Sequence, residues 1–129
     1  MSEFSRISKD RLMQCHPDLQ LLFNVVIRHR DCSITGGHRT ERQQLIAFKT
    51  GTSQLEWPNS KHNLFPSEAV DVAPYPIDYG DTGRFYIFIG YVHRIAEELG
   101  IKVRNGADWD RDYQTTDQRF NDLSHWELI

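Results

Sequence analysis

Apolar residues Phe85, Phe88, Val92, Ile95 and Leu99 recur at spacings of three, four, three and four, drawing one stripe along a helix that Gly100 ends. A second amphipathic helix runs through Leu19, Leu22, Phe23, Val26 and Ile27, with Pro17 suited to its first turn. Ser8 is a fair N-cap for a short helix ahead of it. Ser33 to Gly37 reads as a short strand, closed by a glycine pair that lets the chain turn sharply before Arg39. Thr40 then caps a helix through Leu45, Ile46 and Phe48 that stops at Gly51. Near the C-terminus Ile101 and Val103 alternate with Lys102 and Arg104 as a strand does. Asn105-Gly106 reads as a turn, and Trp126 to Ile129 as a last strand. Helices and strands come in separate runs rather than in regular βαβ alternation, which predicts an α+β domain.

Between Gly51 and Tyr79 the pattern breaks, because four of the five prolines lie there around one short apolar run, Ala69 to Ala73. Long connections of this kind are functional or disordered. Trp57, Leu64, Phe65 and Tyr75 argue for order.

The length of 129 residues, with 39% apolar and 26% charged side chains, predicts a single domain over 1–129 that buries enough surface to fold without disulfides. Cys15 and Cys32 match no CxxC spacing and read as small core residues. No leader pattern and no run of 18 apolar residues is present, so synthesis in the cytosol without membrane insertion is expected. A net charge of −3 argues against general nucleic-acid or anionic-membrane binding. The charge is unevenly spread: residues 1–61 hold nine basic and six acidic groups, residues 62–129 six and twelve. The acidic half is either a solvated surface or a place for a cation.

Six histidines sharpen that choice. His93 stands four residues before Glu97 on the long helix and reads as a surface pair. His16 and His29 flank the Pro17 helix and read as structural. His38, beside Arg39 on a strand-like segment, would face away from it. His62 and His125 differ, each having a carboxylate nearby in an irregular setting, Asp71 and Asp122 respectively. A hydrolytic zinc site takes three N or O ligands and leaves one position open, and His62, Asp71 and His125 would supply them. Asp122 then remains unligated, suited to general acid–base work. The alternative is two loop histidines hydrogen-bonded to nearby aspartates.

The motifs Gly37-His38-Arg39-Thr40 with Gln43, Ser60-Lys61-His62, Ala69-Val70-Asp71 and Asp122-Leu123-Ser124-His125-Trp126-Glu127-Leu128 occur in that order. Together they resemble the zinc D-alanyl-D-alanine carboxypeptidase family and, within it, the small phage L-alanyl-D-glutamate peptidases that act as endolysins. The resemblance runs from about Ile34 to the C-terminus and includes Ala73-Pro74-Tyr75 and Gly106-Ala107-Asp108-Trp109. His62 and Asp71 are nine positions apart, wider than in many members, with Pro66-Ser67 taking up the extra length. Asp122 stands where carboxypeptidase members more often carry Glu, which favours the phage endopeptidases.

The resemblance implies an α+β fold shared with the hedgehog signalling domain, with a small antiparallel sheet flanked by helices. It implies metal ligands His62, Asp71 and His125 for Zn2+, the catalytic carboxylate Asp122, and Arg39 facing the scissile carbonyl or a substrate carboxylate. Ser60 matches a position near the substrate. The implied activity is hydrolysis of the L-alanyl-D-glutamate bond in peptidoglycan stem peptides, by a monomer that reaches the wall after a holin opens the inner membrane. A D-alanyl-D-alanine carboxypeptidase and a non-catalytic module binding zinc or wall peptide are the alternatives. Asp108, Asp110 and Asp112 begin like a calcium loop, but Tyr113 and Arg119 stand at its sixth and twelfth positions, so an EF-hand is ruled out. A solvated acidic loop and a Ca2+ site both remain open there.

Overall fold

In the computed structural model, residues 2–116 and 121–129 are described. They form α1 (Arg6–Leu12), α2 (Pro17–Val26), β1 (Cys32–Gly36), α3 (Glu41–Lys49), a 3-10 turn (Lys61–Asn63), β2 (Ala69–Pro74), α4 (Thr82–Leu99), β3 (Val103–Gly106) and β4 (Asp122–Leu128). The strands make one antiparallel sheet in the order β1-β2-β4-β3, which is the α+β architecture expected from the sequence. Among the described residues no helix is long and apolar enough to cross a membrane.

The two central strands pair with Val70 opposite Trp126 and Asp71 opposite His125. Side chains alternate across a strand, so this register sorts the two faces. Val70, Val72 and Trp126 join the core under α2 and α4. There Trp126 is fully buried, meeting Phe23 edge-on at 6.1 Å and His93 at 4.9 Å. Asp71, His125 and Glu127 take the other face. α4 lies where its stripe predicts, closed by Gly100 in the left-handed conformation (φ 71°). α3 begins with a reciprocal capping box between Thr40 and Gln43, a device worth about 1 kcal/mol.

Several expectations are corrected. Ser5, not Ser8, caps α1; Ser8 sits inside the helix, buried, with its Oγ accepting the Ile34 N–H at 3.0 Å. Asn105-Gly106 is no turn but the end of β3, opposite Trp126 and Asp122. Asn105 is fully buried, and its side-chain amide donates to the carbonyls of Leu123 and His125. β4 starts at Asp122 rather than Trp126. His93 is half-buried against Trp126 instead of forming a surface pair, and its burial lowers its pKa against the charges of Asp108 and Glu97.

The glycine pair also has a different reason. Neither Gly36 nor Gly37 has positive φ. A Cβ on Gly36 would lie 2.7 Å from Asp71 Oδ2, and one on Gly37 would lie 2.5 Å from the Arg11 carbonyl oxygen. They are small because neighbours come close, not because the chain turns. The segment from 51 to 79 is likewise not one loop, since it contains the 3-10 turn and β2. Its Trp57, Leu64, Phe65 and Tyr75 are exposed. Order comes instead from buried Ser67, whose N–H donates to the Gln14 carbonyl and whose carbonyl accepts the His16 N–H, both at 2.8 Å.

Cys15 and Cys32 are buried free thiols, as expected. Burial, with the charge of Asp71 near Cys15 and of Asp31 near Cys32, pushes both pKa values up to about 12. The thiolate is the reactive form. Native protein at about pH 8 is therefore expected to resist a thiol reagent that modifies both cysteines once denaturant is added. Fast labelling of either thiol in the folded protein would contradict this burial.

Candidate metal centre

His62 lies in the 3-10 turn that Ser60 caps: Ser60 Oγ accepts the His62 N–H at 3.2 Å, and Asn63 Oδ1 accepts the Ser60 N–H at 3.1 Å. Asp71 and His125 face each other across β2 and β4. The three side chains converge, although nine residues separate His62 from Asp71 and 54 more lead to His125. His62 Nε2 and His125 Nδ1 are 3.2 Å apart, and Asp71 Oδ1 is 3.4 Å from the first and 3.6 Å from the second.

The outer nitrogen of each ring decides what the inner one can do. His62 Nδ1 lies 2.7 Å from the Gly37 carbonyl oxygen, which only accepts, so Nδ1 carries the hydrogen and Nε2 turns a lone pair inward. His125 Nε2 lies 2.8 Å from Glu127 Oε1, leaving Nδ1 inward by the same reasoning. Two lone pairs and a carboxylate oxygen thus meet at one point. Tetrahedral ligands at about 2.0–2.1 Å from an ion stand about 3.3–3.4 Å from one another, which matches the spacing found. The donor set therefore fits a divalent metal.

Glu127 is the group that sequence reasoning missed. It is buried, and Arg104 holds it through Nε and Nη2 at 3.0 and 2.9 Å, with Lys61 Nζ at 3.7 Å. Starting the last strand at Trp126 hid the signal, because His125 and Glu127 share a face only if both lie on one strand. Burial raises the Glu127 pKa, but the hydrogen bond and charge of His125 and the Arg104 guanidinium outweigh it and bring it to about 2. Burial also opposes ionisation of Asp71, yet His62 and His125 hold its carboxyl well below the usual carboxylate range. Burial lowers the pKa of His125, while its hydrogen bonds to Asp71 and Glu127 and the charges of Asp71 and Asp122 raise it to about 9.

Two members of the cluster, His62 and His125, line a cleft of about 460 Å³. Asp122 lines it from the start of β4, accepting from Ser124 Oγ at 3.3 Å, and lies outside the three converging donors. Burial, and then the charge of Asp71, raises its pKa against His125 and Ser124. A Cβ on Gly106, across the sheet, would stand 2.0 Å from the Asp122 carbonyl oxygen, so only glycine lets β3 approach so closely. Arg39 also lines the cleft, with Nη2 3.7 Å from Asp71 Oδ2 and Nη1 donating to Gln44 Oε1 at 2.9 Å. Ser60 is on the wall, only 5% exposed. Trp109 leans on the His125 ring at 5.1 Å. His38 stays away from the cluster, its ring against Phe65. His16 caps α2 through Nδ1, and His29 is exposed beyond that helix.

Asp108, Asp110 and Asp112 form a second group whose oxygens lie within 4.8 Å of one another. Asp108 accepts the N–H groups of Asp112 and Tyr113 at 3.1 and 2.9 Å, and Tyr113 has φ 63° where a calcium loop carries glycine. Asp117 and Arg119 lie outside the described residues.

Comparison with known proteins agrees over the whole chain. The family model for phage L-alanyl-D-glutamate peptidase matches residues 1–129. The L-alanyl-D-glutamate peptidase of Escherichia phage T5 is 34% identical over 135 residues, covering 98% of each chain. Among solved structures, the Serratia marcescens L-Ala D-Glu endopeptidase ChiX superposes with a TM-score of 0.76 at 25% identity, over 99% of this chain and 91% of that one.

The charge balance predicts a pH dependence. In metal-free protein the raised His125 pKa stabilises the fold fully below about pH 6.5, and this is lost as pH rises through about 9. A metal displaces that proton, so its binding strengthens over the same window. The gap in melting temperature between metal-loaded and chelator-stripped protein is expected to widen from about pH 6 to about pH 9. A gap that narrows would contradict this account of the cluster.

Proposed function

The chain belongs to the phage L-alanyl-D-glutamate peptidase family, and from that premise we propose that it hydrolyses the L-alanyl-D-glutamate bond of peptidoglycan stem peptides at a zinc ion held by His62, Asp71 and His125. The observation that carries this reading is the convergence of His62 Nε2, Asp71 Oδ1 and His125 Nδ1, with both histidines lining a cleft. When bound, zinc supplies Lewis-acid polarisation of a carbonyl and lowers the pKa of a water to about 7. Asp122 takes the proton from the attacking water and gives it to the departing D-glutamyl amine. Its raised pKa suits a group that must hold the proton between the two steps.

Arg39 directs its guanidinium toward charge developing on the scissile carbonyl oxygen, or toward an acidic group of the stem. Lys61 and Arg104 line the same cleft and offset Glu127, so with the divalent ion bound the cleft would favour an anionic peptide. Ser60 Oγ, already accepting the His62 N–H, keeps its own hydrogen for a substrate carbonyl. Trp109 covers one side of His125 and limits access of water from that side. As an endolysin, the protein would reach the wall after a holin opens the membrane. Calcium at Asp108, Asp110 and Asp112 is the second ion of this reading. Titrating calcium into metal-loaded protein is expected to show one binding event that Asp110→Asn removes; no event in the parent protein would eliminate the site.

The experiment on the reaction digests purified peptidoglycan and identifies the new termini by mass spectrometry. A free D-glutamyl amine is expected from the parent protein. Asp122→Ala is expected to keep one metal per chain and to lose at least about 100-fold in turnover. Release of free D-alanine would assign the carboxypeptidase bond instead, and absence of any cleavage by metal-loaded parent protein would leave a binding module.

A further inference from the structure

Gln44 is the one buried residue of α3 among those described, and it is completely shielded from solvent. Leu45, Ile46 and Phe48 of the same helix are exposed, so burial of apolar surface is not what seats α3. A buried amide is costly unless its hydrogen-bonding groups are used, and those of Gln44 are. Its Oε1 accepts from Arg39 Nη1 at 2.9 Å and Asn63 Nδ2 at 3.2 Å. Its Nε2 donates to Ser53 Oγ at 2.9 Å and the Leu55 carbonyl at 2.6 Å. The amide orientation is forced, since Arg39 can only donate and the Leu55 carbonyl can only accept.

These four partners belong to different segments around the cleft. Arg39 turns its other terminal nitrogen toward Asp71, and Asn63 ends the turn that carries His62. Ser53 and Leu55 line the wall formed by the segment after α3. Asn63 Nδ2 also donates to the Arg39 carbonyl at 3.1 Å, which ties the arginine backbone to the same group. We propose that Gln44 is a positioning residue that holds the Arg39 guanidinium over the reacting carbonyl and couples it to the wall at 53–55. One neutral amide does this without cancelling the charge of Arg39, as a carboxylate at that position would. The proposal rests on the role given to Arg39 in the reaction above.

A double-mutant cycle on the full chain tests it, with kcat, KM and metal content measured for the parent, Arg39→Ala, Gln44→Met and the double variant. Gln44→Met is expected to retain one metal per chain and to lower kcat about 10- to 100-fold with a smaller change in KM. In the Arg39→Ala background the same substitution is expected to change kcat less than about twofold. Independent effects that multiply, or a Gln44→Met loss confined to melting temperature, would overturn the proposal and leave Gln44 as a staple for α3. Should Gln44→Met not fold, Gln44→Asn, which keeps a neutral amide on a side chain one methylene shorter, runs the same cycle with the same expected and overturning results. If Arg39→Ala alone turns over like the parent, the reaction assigned to Arg39 fails, an outcome separate from failure of the Gln44 coupling.

Discussion

Everything at the centre depends on the register between β2 and β4. Pairing Val70 with Trp126 places Asp71 opposite His125, and a slip of β4 by one residue would turn His125 into the core and the tryptophan out of it. The core prevents that slip. Trp126, Phe23, Val70 and Val72 are fully buried together, and removing an aromatic side chain from such a core costs about 3–5 kcal/mol. Hydrophobic packing on one face of the sheet thereby fixes the geometry of the Asp71 and His125 pair on the other. The register leaves a carboxylate and two imidazoles in contact, an arrangement that needs a proton or a cation among them.

Around that centre, polar groups are paired outward in layers. His62 is aimed by the Gly37 carbonyl, and His125 by Glu127, itself held by Arg104. Arg39 is aimed by Gln44. Outer partners of this kind fix ring orientation and raise the basicity of the ligand nitrogens. Two glycines make the approach possible, Gly36 beside the Asp71 carboxylate and Gly106 beside the Asp122 backbone. At both positions the constraint is space.

The acidic bias of the second half of the chain resolves into distinct parts. Asp122 and Glu127 line the cleft and Asp71 meets its histidines, with Arg39 against Asp71 and with Lys61 and Arg104 against Glu127. With histidines neutral, those six side chains balance, so a divalent cation among the three donors would leave the region positive. The group Asp108, Asp110 and Asp112 lies apart, beside a different pocket that His93 lines.

Local pattern was enough for α2, α3 and α4, because a stripe repeating near 3.6 residues and a capping side chain act within a few positions. The motifs around His62, Asp71 and His125 were legible for the same reason, as short strings of suitable chemistry. What the chain alone could not reveal was distance across it. Asn105-Gly106 looks like a turn until β4 is laid beside it, and Ser8 looks like a cap until its hydroxyl meets Ile34. Gln44 and Glu127 look like ordinary surface residues until folding buries them among partners far away in sequence. Local pattern thus accounts for the helices, the α+β class and the donor types of the cluster. Which polar groups became buried neighbours was settled by folding, because desolvation and hydrogen bonding depend on separations in space that no local spacing encodes.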